Sequence, residues 1–418
     1  MVEEKDSLSK FYTIAVALFL TVPAINMIGV AVFPALSGAL MTVLYAVFGA
    51  CIIAVAGVAF GNSKRMYIVY AVALLTIISY YIATMIIAPY SDLSAAKFLS
   101  MTVAAFVCFS VRKVDPRLLI KALILISCPA LFWFNKVFIV TSGLAEVILM
   151  GIGYAFVPSI VSSFVYLFWY IRDERKDKLK WLYIVGCFIN LVFAFRIIEY
   201  GSRGPVLCMI VCLVVCICFD NDKEKGIRLR SWKVVLVGIA VALIAMNFWV
   251  VLGTVSSLLK SFGISVNTID KFYRLNEQSK DALNGRSDIW AAVASEMLRS
   301  PLWGHGMSTT LHNLKYPYPH NFLLQFLYDG GLLLTLPVLG PFLAGLVKFI
   351  ARCRSKDLFC MGTVMFCMSV PCAFLSTDLW ENGQLWVTFS FFVLWSIDDY
   401  AIKYTRLVNR PAKIKEED

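Results

Sequence analysis

Two short motifs in the one long polar stretch of this chain carry residues that could do chemistry. Residues 284–290, NGRSDIW, place Arg286 at the start of a predicted helix, where backbone N–H groups and the helix dipole favour an anion. Residues 318–321, YPHN, hold His320 between a proline and a long apolar run, and an ordinary histidine has a pKa near working pH. The pair predicts an anion-binding group next to a group that can exchange a proton.

A third group of charged residues lies where two apolar runs meet. Arg196, Glu199 and Arg203 surround residues 199–205, EYGSRGP, and an arginine at a membrane boundary is costly unless it pairs or contacts a phosphate. Gly204 allows close backbone approach, and Pro205 suits the first turn of the next helix. The arrangement favours an anion beside Arg203, and the alternative is a local Arg196–Glu199 pair with side chains reaching lipid headgroups.

Other polar residues have simpler interpretations. The three histidines of the chain, His305, His312 and His320, lack the spacing of a zinc site, so no metal or other cofactor is expected. Asp378 and Glu381 could reach the same site from another helix, although a solvated acidic loop is the default interpretation. By the same reasoning, Arg286 taken alone would be a solvated loop arginine and His320 a structural histidine.

The elements that position these residues are membrane helices. Hydrophobic residues make up 60% of the 418 residues and charged residues only 16%, which points to lipid as the main solvent. Continuous apolar runs of about 17–25 residues match the thickness of the hydrocarbon core, and only helices satisfy their backbone there. We predict twelve spans, at 11–33, 37–60, 66–88, 96–111, 118–134, 152–171, 181–198, 204–219, 234–254, 322–348, 358–376 and 383–399.

The distribution of Lys and Arg predicts the orientation. Alternate loops are rich in Lys and Arg, as cytoplasmic loops are, so both termini are expected in the cytoplasm. The loop at 256–321 then faces the periplasm, and three regions follow: helices 1–9 over 1–255, this loop with short helices, and helices 10–12 with a tail over 322–418. The net charge of +11 is attributed to cationic loops that face membrane lipids, and no nucleic acid partner is expected.

In these motifs the chain resembles the superfamily of O-antigen ligases and polymerases. The order is Gly-Arg-x-x-x-Trp from Gly285, then Gly-x-Gly from Gly304, then Pro-His-Asn from Pro319 and a pair of glycines ending at Gly331, with the Gly-Ser-Arg-Gly-Pro turn upstream. Ligases of the superfamily tend to have a small or hydroxylated residue three positions after the second glycine, where this chain has Leu334. That departure favours a Wzy-type polymerase.

The resemblance implies an all-α, GT-C-like polytopic enzyme of the bacterial inner membrane whose active site faces the periplasm. Its implied substrate is an undecaprenyl-diphosphate-linked oligosaccharide, which is transferred with inversion and without a metal to the terminal sugar of a second lipid-linked unit. A chain-length regulator protein is a further expected partner. The implied catalytic residues are Arg203 and Arg286 on the diphosphate and His320 on the acceptor hydroxyl. The residues expected to bind substrate are Arg196, Glu199, Arg274, Trp290, Tyr316, Tyr318 and Asn321.

Two other functions use similar sequence features. A ligase that transfers finished glycan to lipid A–core would share the donor chemistry and the same residues. A lipid-linked glycan flippase would also have many spans, but it would be expected to place ionisable residues near the bilayer midplane, in related halves. Here the distinctive polar residues gather around one loop.

Overall fold

The computed structural model describes residues 2–33, 39–59, 64–109, 114–133, 145–171, 178–200, 203–222, 226–261, 285–376 and 378–396. These residues are mostly helical, as the continuous apolar runs predict. The helices up to the first strand are α1 (Val2–Leu20), α2 (Val22–Val32), α3 (Ala39–Ala59), α4 (Lys64–Ile87), α5 (Ala95–Phe106), α6 (Pro116–Ile126), α7 (Ala145–Val165), α8 (Lys180–Tyr200) and α9 (Arg203–Cys218). After it come α10 (Ser231–Met246), α11 (Phe248–Ser261), α12 (Arg286–Met297), α13 (Thr310–Leu314), α14 (Phe322–Arg352), α15 (Lys356–Ala373) and α16 (Gly383–Ser396).

One short hairpin departs from the all-α prediction. Strands β1 (Phe219–Asp222) and β2 (Gly226–Leu229) pair antiparallel between α9 and α10. The segment around Asp220 therefore forms a strand. Asp220 is held there by Lys233 at 2.6 Å and by Arg230 at 3.3 Å.

The helices are long and apolar enough for an integral membrane protein. Six helices of the described residues could cross a membrane, and up to eight spans result if each of two bent pairs is one span. Lipid-facing surfaces are apolar, and α10 exposes large residues such as Val235, Leu236 and Ile239 while burying none. The count of twelve spans, the cytoplasmic termini and the periplasmic loop stay predictions.

Two predicted spans are bent rather than continuous. The span at 11–33 divides into α1 and α2, which meet at 67° beside Pro23. A proline lacks the N–H that a helix needs and its ring crowds the preceding turn, so the helix breaks there. The span at 234–254 divides at Asn247 into α10 and α11, which meet at 85°.

The long helix α14 begins at the residue that the sequence indicated and contains a break. The side chain of Asn321 accepts hydrogen bonds from Leu323 N at 3.0 Å and Leu324 N at 3.3 Å, which caps the helix N-terminus. At Gly331 the backbone turns to φ 55° and ψ −157°, a conformation that is open to glycine alone. The helix therefore continues in a new direction from this glycine.

The loop that follows α12 docks on this break through its backbone. Leu332 N donates to Pro301 O at 2.9 Å and Leu333 N to Leu302 O at 3.1 Å. On the other side of the break, Gly306 N donates to Asp329 O at 2.9 Å. These bonds satisfy groups that the broken helix no longer pairs, so the break fixes the loop relative to α14.

Replacing Gly331 by alanine is expected to destabilise the protein. A Cβ there would lie 2.4 Å from the backbone of Leu302, and the conformation alone costs a non-glycine residue about 1–3 kcal/mol. The matched control is Gly340→Ala in the same helix, where a Cβ meets no atom within 4 Å. Thermal unfolding in detergent should show a lower midpoint for Gly331→Ala alone, and equal midpoints for the two variants would contradict this account.

Candidate functional site

His320 lies in a strained position between Pro319 and the start of α14. Its backbone is left-handed, with φ 56°, which is uncommon for a residue other than glycine. The next residue, Asn321, is fixed because its side chain caps the N-terminus of α14. A backbone held in this region costs free energy and is found most often at functional sites.

Two aromatic side chains hold this segment in place. Trp290 of α12 donates from Nε1 to Pro319 O at 2.9 Å. The Tyr318 hydroxyl donates to Ser376 O at 3.3 Å, and the Tyr318 ring lies 4.2 Å from the His320 ring, centroid to centroid. The histidine is therefore clamped between α12 and the segment that follows α15.

Arg286 is the first residue of α12 and points toward the same segment. Its Nη2 donates to Ser376 Oγ at 3.2 Å. The residue before the helix is Gly285, with φ 77°, and the helix begins at Arg286, as the motif predicts. Asp288 lies in the first turn, where a carboxylate is favourable.

Arg203 brings a second guanidinium to this place. It is half-buried at the first residue of α9 and interacts electrostatically with Arg286. The next residue, Gly204, lies against Tyr154, because a Cβ there would come within 2.1 Å of the tyrosine hydroxyl. Tyr154 in turn contacts Ser376 and interacts electrostatically with Arg286, so this tyrosine and Arg286 share one serine.

The two arginines make a strongly cationic site. Two like charges that are only partly hydrated repel each other, and an anion bound between them would relieve that repulsion. A guanidinium stays charged and presents a planar fork that matches phosphate oxygens. The arrangement is therefore suited to a phosphate or diphosphate group.

The same surroundings keep His320 neutral. Burial and the positive charge of Arg286 lower the pKa of His320 from 6.5 to about 4. Its Nδ1 is buried and has no hydrogen-bond partner within the described part of the chain. A neutral imidazole at working pH can accept a proton, which a charged one cannot.

The remaining predicted residues are placed differently. Arg196 and Glu199 form an ion pair on α8, with 2.6 Å between Nη1 and Oε2, which is the local pairing that the sequence offered as an alternative. Tyr316 is half-buried and makes no hydrogen bond or ring contact among the described residues. Asn321 acts as the cap of α14. Arg274 lies outside the described residues.

Three residues near the site were missed or misjudged from sequence. Ser376, which Arg286 and Tyr318 both contact, carried no motif, although it lies in a predicted outer loop beside Asp378. Asp378 is not a solvated loop residue, because its Oδ1 accepts from Gln325 Nε2 at 3.0 Å and from Trp380 N at 2.8 Å. Gln325 lies one turn into α14 and is buried.

One family model matches the part of the chain that contains Arg203, Arg286 and His320. Residues 188–339 match the family model described as O-antigen ligase. The match includes Arg196, Arg203, Arg286 and His320, together with the break of α14, and the predicted resemblance is confirmed over this region. No curated protein matches the chain.

Proposed function

We propose, on the premise that residues 188–339 are an O-antigen ligase-family domain, that this chain is a membrane glycosyltransferase of the Wzy polymerase type. The observation that carries the proposal is that Arg203 and His320, from two other parts of the chain, both interact electrostatically with Arg286, which hydrogen-bonds Ser376. The donor is a glycan on undecaprenyl diphosphate, and the site faces the periplasm from the inner membrane.

The two arginines stabilise the leaving group. When the bond between the anomeric carbon and the diphosphate oxygen breaks, its electron pair goes to that oxygen and negative charge accumulates there. Guanidinium groups already in place stabilise this charge in the transition state more than in the bound donor, which is the condition for catalysis. Because these residues supply positive charge, the reaction is proposed to run without a metal.

His320 acts on the acceptor. As a hydroxyl oxygen of the acceptor sugar forms its bond to the anomeric carbon, its proton moves to the neutral imidazole of His320. Acceptor and leaving group lie on opposite faces of the carbon, so the configuration inverts. Tyr318 and Trp290 keep the histidine in position, and Arg196 and Glu199 are proposed to contact the donor from α8.

Ligase activity is the second candidate, since the family covers both reactions. Leu334, which departs from the ligase pattern, is buried in α14 against Gly330, where a Cβ would lie 2.2 Å from Leu334 Cβ. On the departure from the ligase pattern at this position we propose the polymerase, whose acceptor is the terminal sugar of a second lipid-linked unit. A chain-length regulator protein is the expected partner of such an enzyme.

Deletion of the gene in the native host separates the candidates. Lipopolysaccharide on a gel is expected to show core bearing a single repeat unit, since export and ligation continue without polymerisation. Bare core would reject the polymerase. Long glycan left on undecaprenyl diphosphate would then indicate a ligase, and unpolymerised lipid-linked units would indicate a flippase. The matched control is the deletion strain carrying the gene on a plasmid, which should restore long chains.

A further inference from the structure

A cavity is lined in part by Ser376, the serine that Arg286 hydrogen-bonds. It measures about 280 Å³ and is bounded by the bend between α1 and α2 at Pro23, by α7 at Tyr154, and by Ser376, Asp378 and residues 381–384. This volume is close to the lower end of the range for small-molecule sites, about 300–1,000 Å³, and far above that of a single bound water. It has room for one small organic group.

The lining combines aromatic rings with oxygen and amide groups. Tyr45, Tyr154 and Tyr318 supply rings and hydroxyls, and Asp378, Glu381 and Gln384 supply carboxylates and an amide. Carboxylate oxygens accept hydrogen bonds, an amide both donates and accepts, and a tyrosine ring offers an apolar face. A sugar ring presents hydroxyl groups around its rim and C–H groups on its faces, so this lining matches it.

The charge of the lining is acidic. Asp378 and Glu381 contribute carboxylates, and no lysine or arginine of the described residues lines the cavity. Glu381 is paired with Lys97 at 2.5 Å, and both described hydrogen bonds to Asp378 fall on its Oδ1. Burial raises the pKa of Asp378 to about 6, so it is mostly ionised at pH 7. The carboxylate of Asp378 therefore disfavours a negatively charged ligand beside it.

The cavity adjoins the proposed reaction centre. Ser376 accepts from Arg286 at its hydroxyl and from Tyr318 at its carbonyl, and Tyr318 lies between the cavity and the His320 ring. A group in the cavity would thus lie against Tyr318, whose ring contacts that of His320, and against Ser376, which Arg286 hydrogen-bonds. Arg286 favours an anion near Ser376, and the cavity lining favours an uncharged, hydroxyl-bearing group.

We propose that this cavity is the subsite for the acceptor sugar and that it takes a neutral or amino sugar in preference to one bearing a carboxylate. The assignment of the bound sugar as the acceptor rests on the proposed function, whereas sugar binding itself can be measured without any reaction. Asp378 and Glu381 orient the ring through its hydroxyls and exclude uronic acids by charge. Gln325 positions Asp378 from α14.

Sugar binding is tested by saturation-transfer NMR with the full chain in nanodiscs. The probes are the methyl glycosides of glucose, galactose, mannose and N-acetylglucosamine, each neutral hexoside paired with its uronic acid. At least one neutral glycoside is expected to show saturation transfer at pH 7.5, and its uronic counterpart to show about fivefold less. Equal transfer to both members of every pair, or transfer to none, would overturn the proposal.

Two variants locate the binding. Asp378→Asn keeps an oxygen for Gln325 and Trp380 but removes the charge, and Glu381→Gln does the same at the cavity edge. Both are expected to reduce discrimination against the uronic acid at least threefold, whereas Asp220→Asn, in the hairpin at β1, should leave it unchanged. Unaltered discrimination in both cavity variants, with normal thermal unfolding, would overturn the assignment.

A reaction assay in the same nanodiscs distinguishes the two proposals. Lipid-linked repeat units that the native chain fails to polymerise, alongside intact sugar binding, would reject the proposed function and leave the sugar site standing. Polymerisation with unchanged rate and KM in Asp378→Asn and Glu381→Gln would reject the acceptor subsite and leave the function standing.

Discussion

Replacing Arg286 by alanine is expected to reduce polymer formation by about 10²–10³-fold, the loss typical of removing one donor that stabilises transition-state charge. Arg286 lies at the start of α12, hydrogen-bonds Ser376 and interacts electrostatically with Arg203 and His320. Its loss would leave the diphosphate with weaker stabilisation as charge develops. The measurement is the rate of polymer formation from lipid-linked repeat units by purified protein in nanodiscs.

The control for this variant is another arginine of the same loop. Arg299 pairs with Glu296 and its side chain is 73% exposed, so Arg299→Ala should retain nearly full activity. Arg286→Lys keeps the charge but loses the planar fork, and an intermediate rate is expected. Activity of Arg286→Ala within threefold of the native rate would remove Arg286 from the diphosphate site.

Replacing His320 is expected to reduce the same rate by about 10²–10⁴-fold, the contribution of a positioned general base. Alanine is a poor test by itself, because the backbone at His320 is left-handed at φ 56° and alanine would be strained there. Asparagine tolerates this conformation, so His320→Asn should fold normally and show the same loss of rate. Thermal unfolding of both variants checks that the fold is retained.

A second histidine supplies the control. His312 is exposed on α13 and stacks on Tyr90 with 3.9 Å between ring centroids, so His312→Ala should leave the rate unchanged. A rate for His320→Asn close to the native rate would show that the acceptor hydroxyl is activated by another group. In that case Asp378 would be the next residue to replace.

The pH dependence follows from the lowered pKa of His320, about 4. The imidazole is neutral above that value and protonated below it, and only the neutral form accepts a proton. The turnover rate should therefore show no inflection from His320 between pH 6 and 8, and it should fall as the pH approaches 4. An inflection near 6.5 that disappears in His320→Asn would contradict the buried position of this histidine.

Local patterns in the sequence were sufficient for the membrane character and for the candidate chemistry. Long apolar runs require helices in lipid whatever their packing, and Asn321 before an apolar run predicts the start of α14 at Phe322. The motifs around Arg203, Arg286 and His320 were recognisable because each depends on neighbours within a few residues. The family match over residues 188–339 covers all three.

What only the tertiary structure decided is which of these local features meet. No local rule could show that Ser376, from the segment after α15, lies between Arg286 and Tyr318. Asp378 accepts a hydrogen bond from Gln325 because α14 packs against the segment after α15. Sequence spacing does not predict that packing. Contacts between distant segments also determine the bends beside Pro23 and at Asn247 and the docking of the loop on the break at Gly331. A break in a membrane helix persists only where neighbouring groups hydrogen-bond the backbone N–H and C=O groups that it frees.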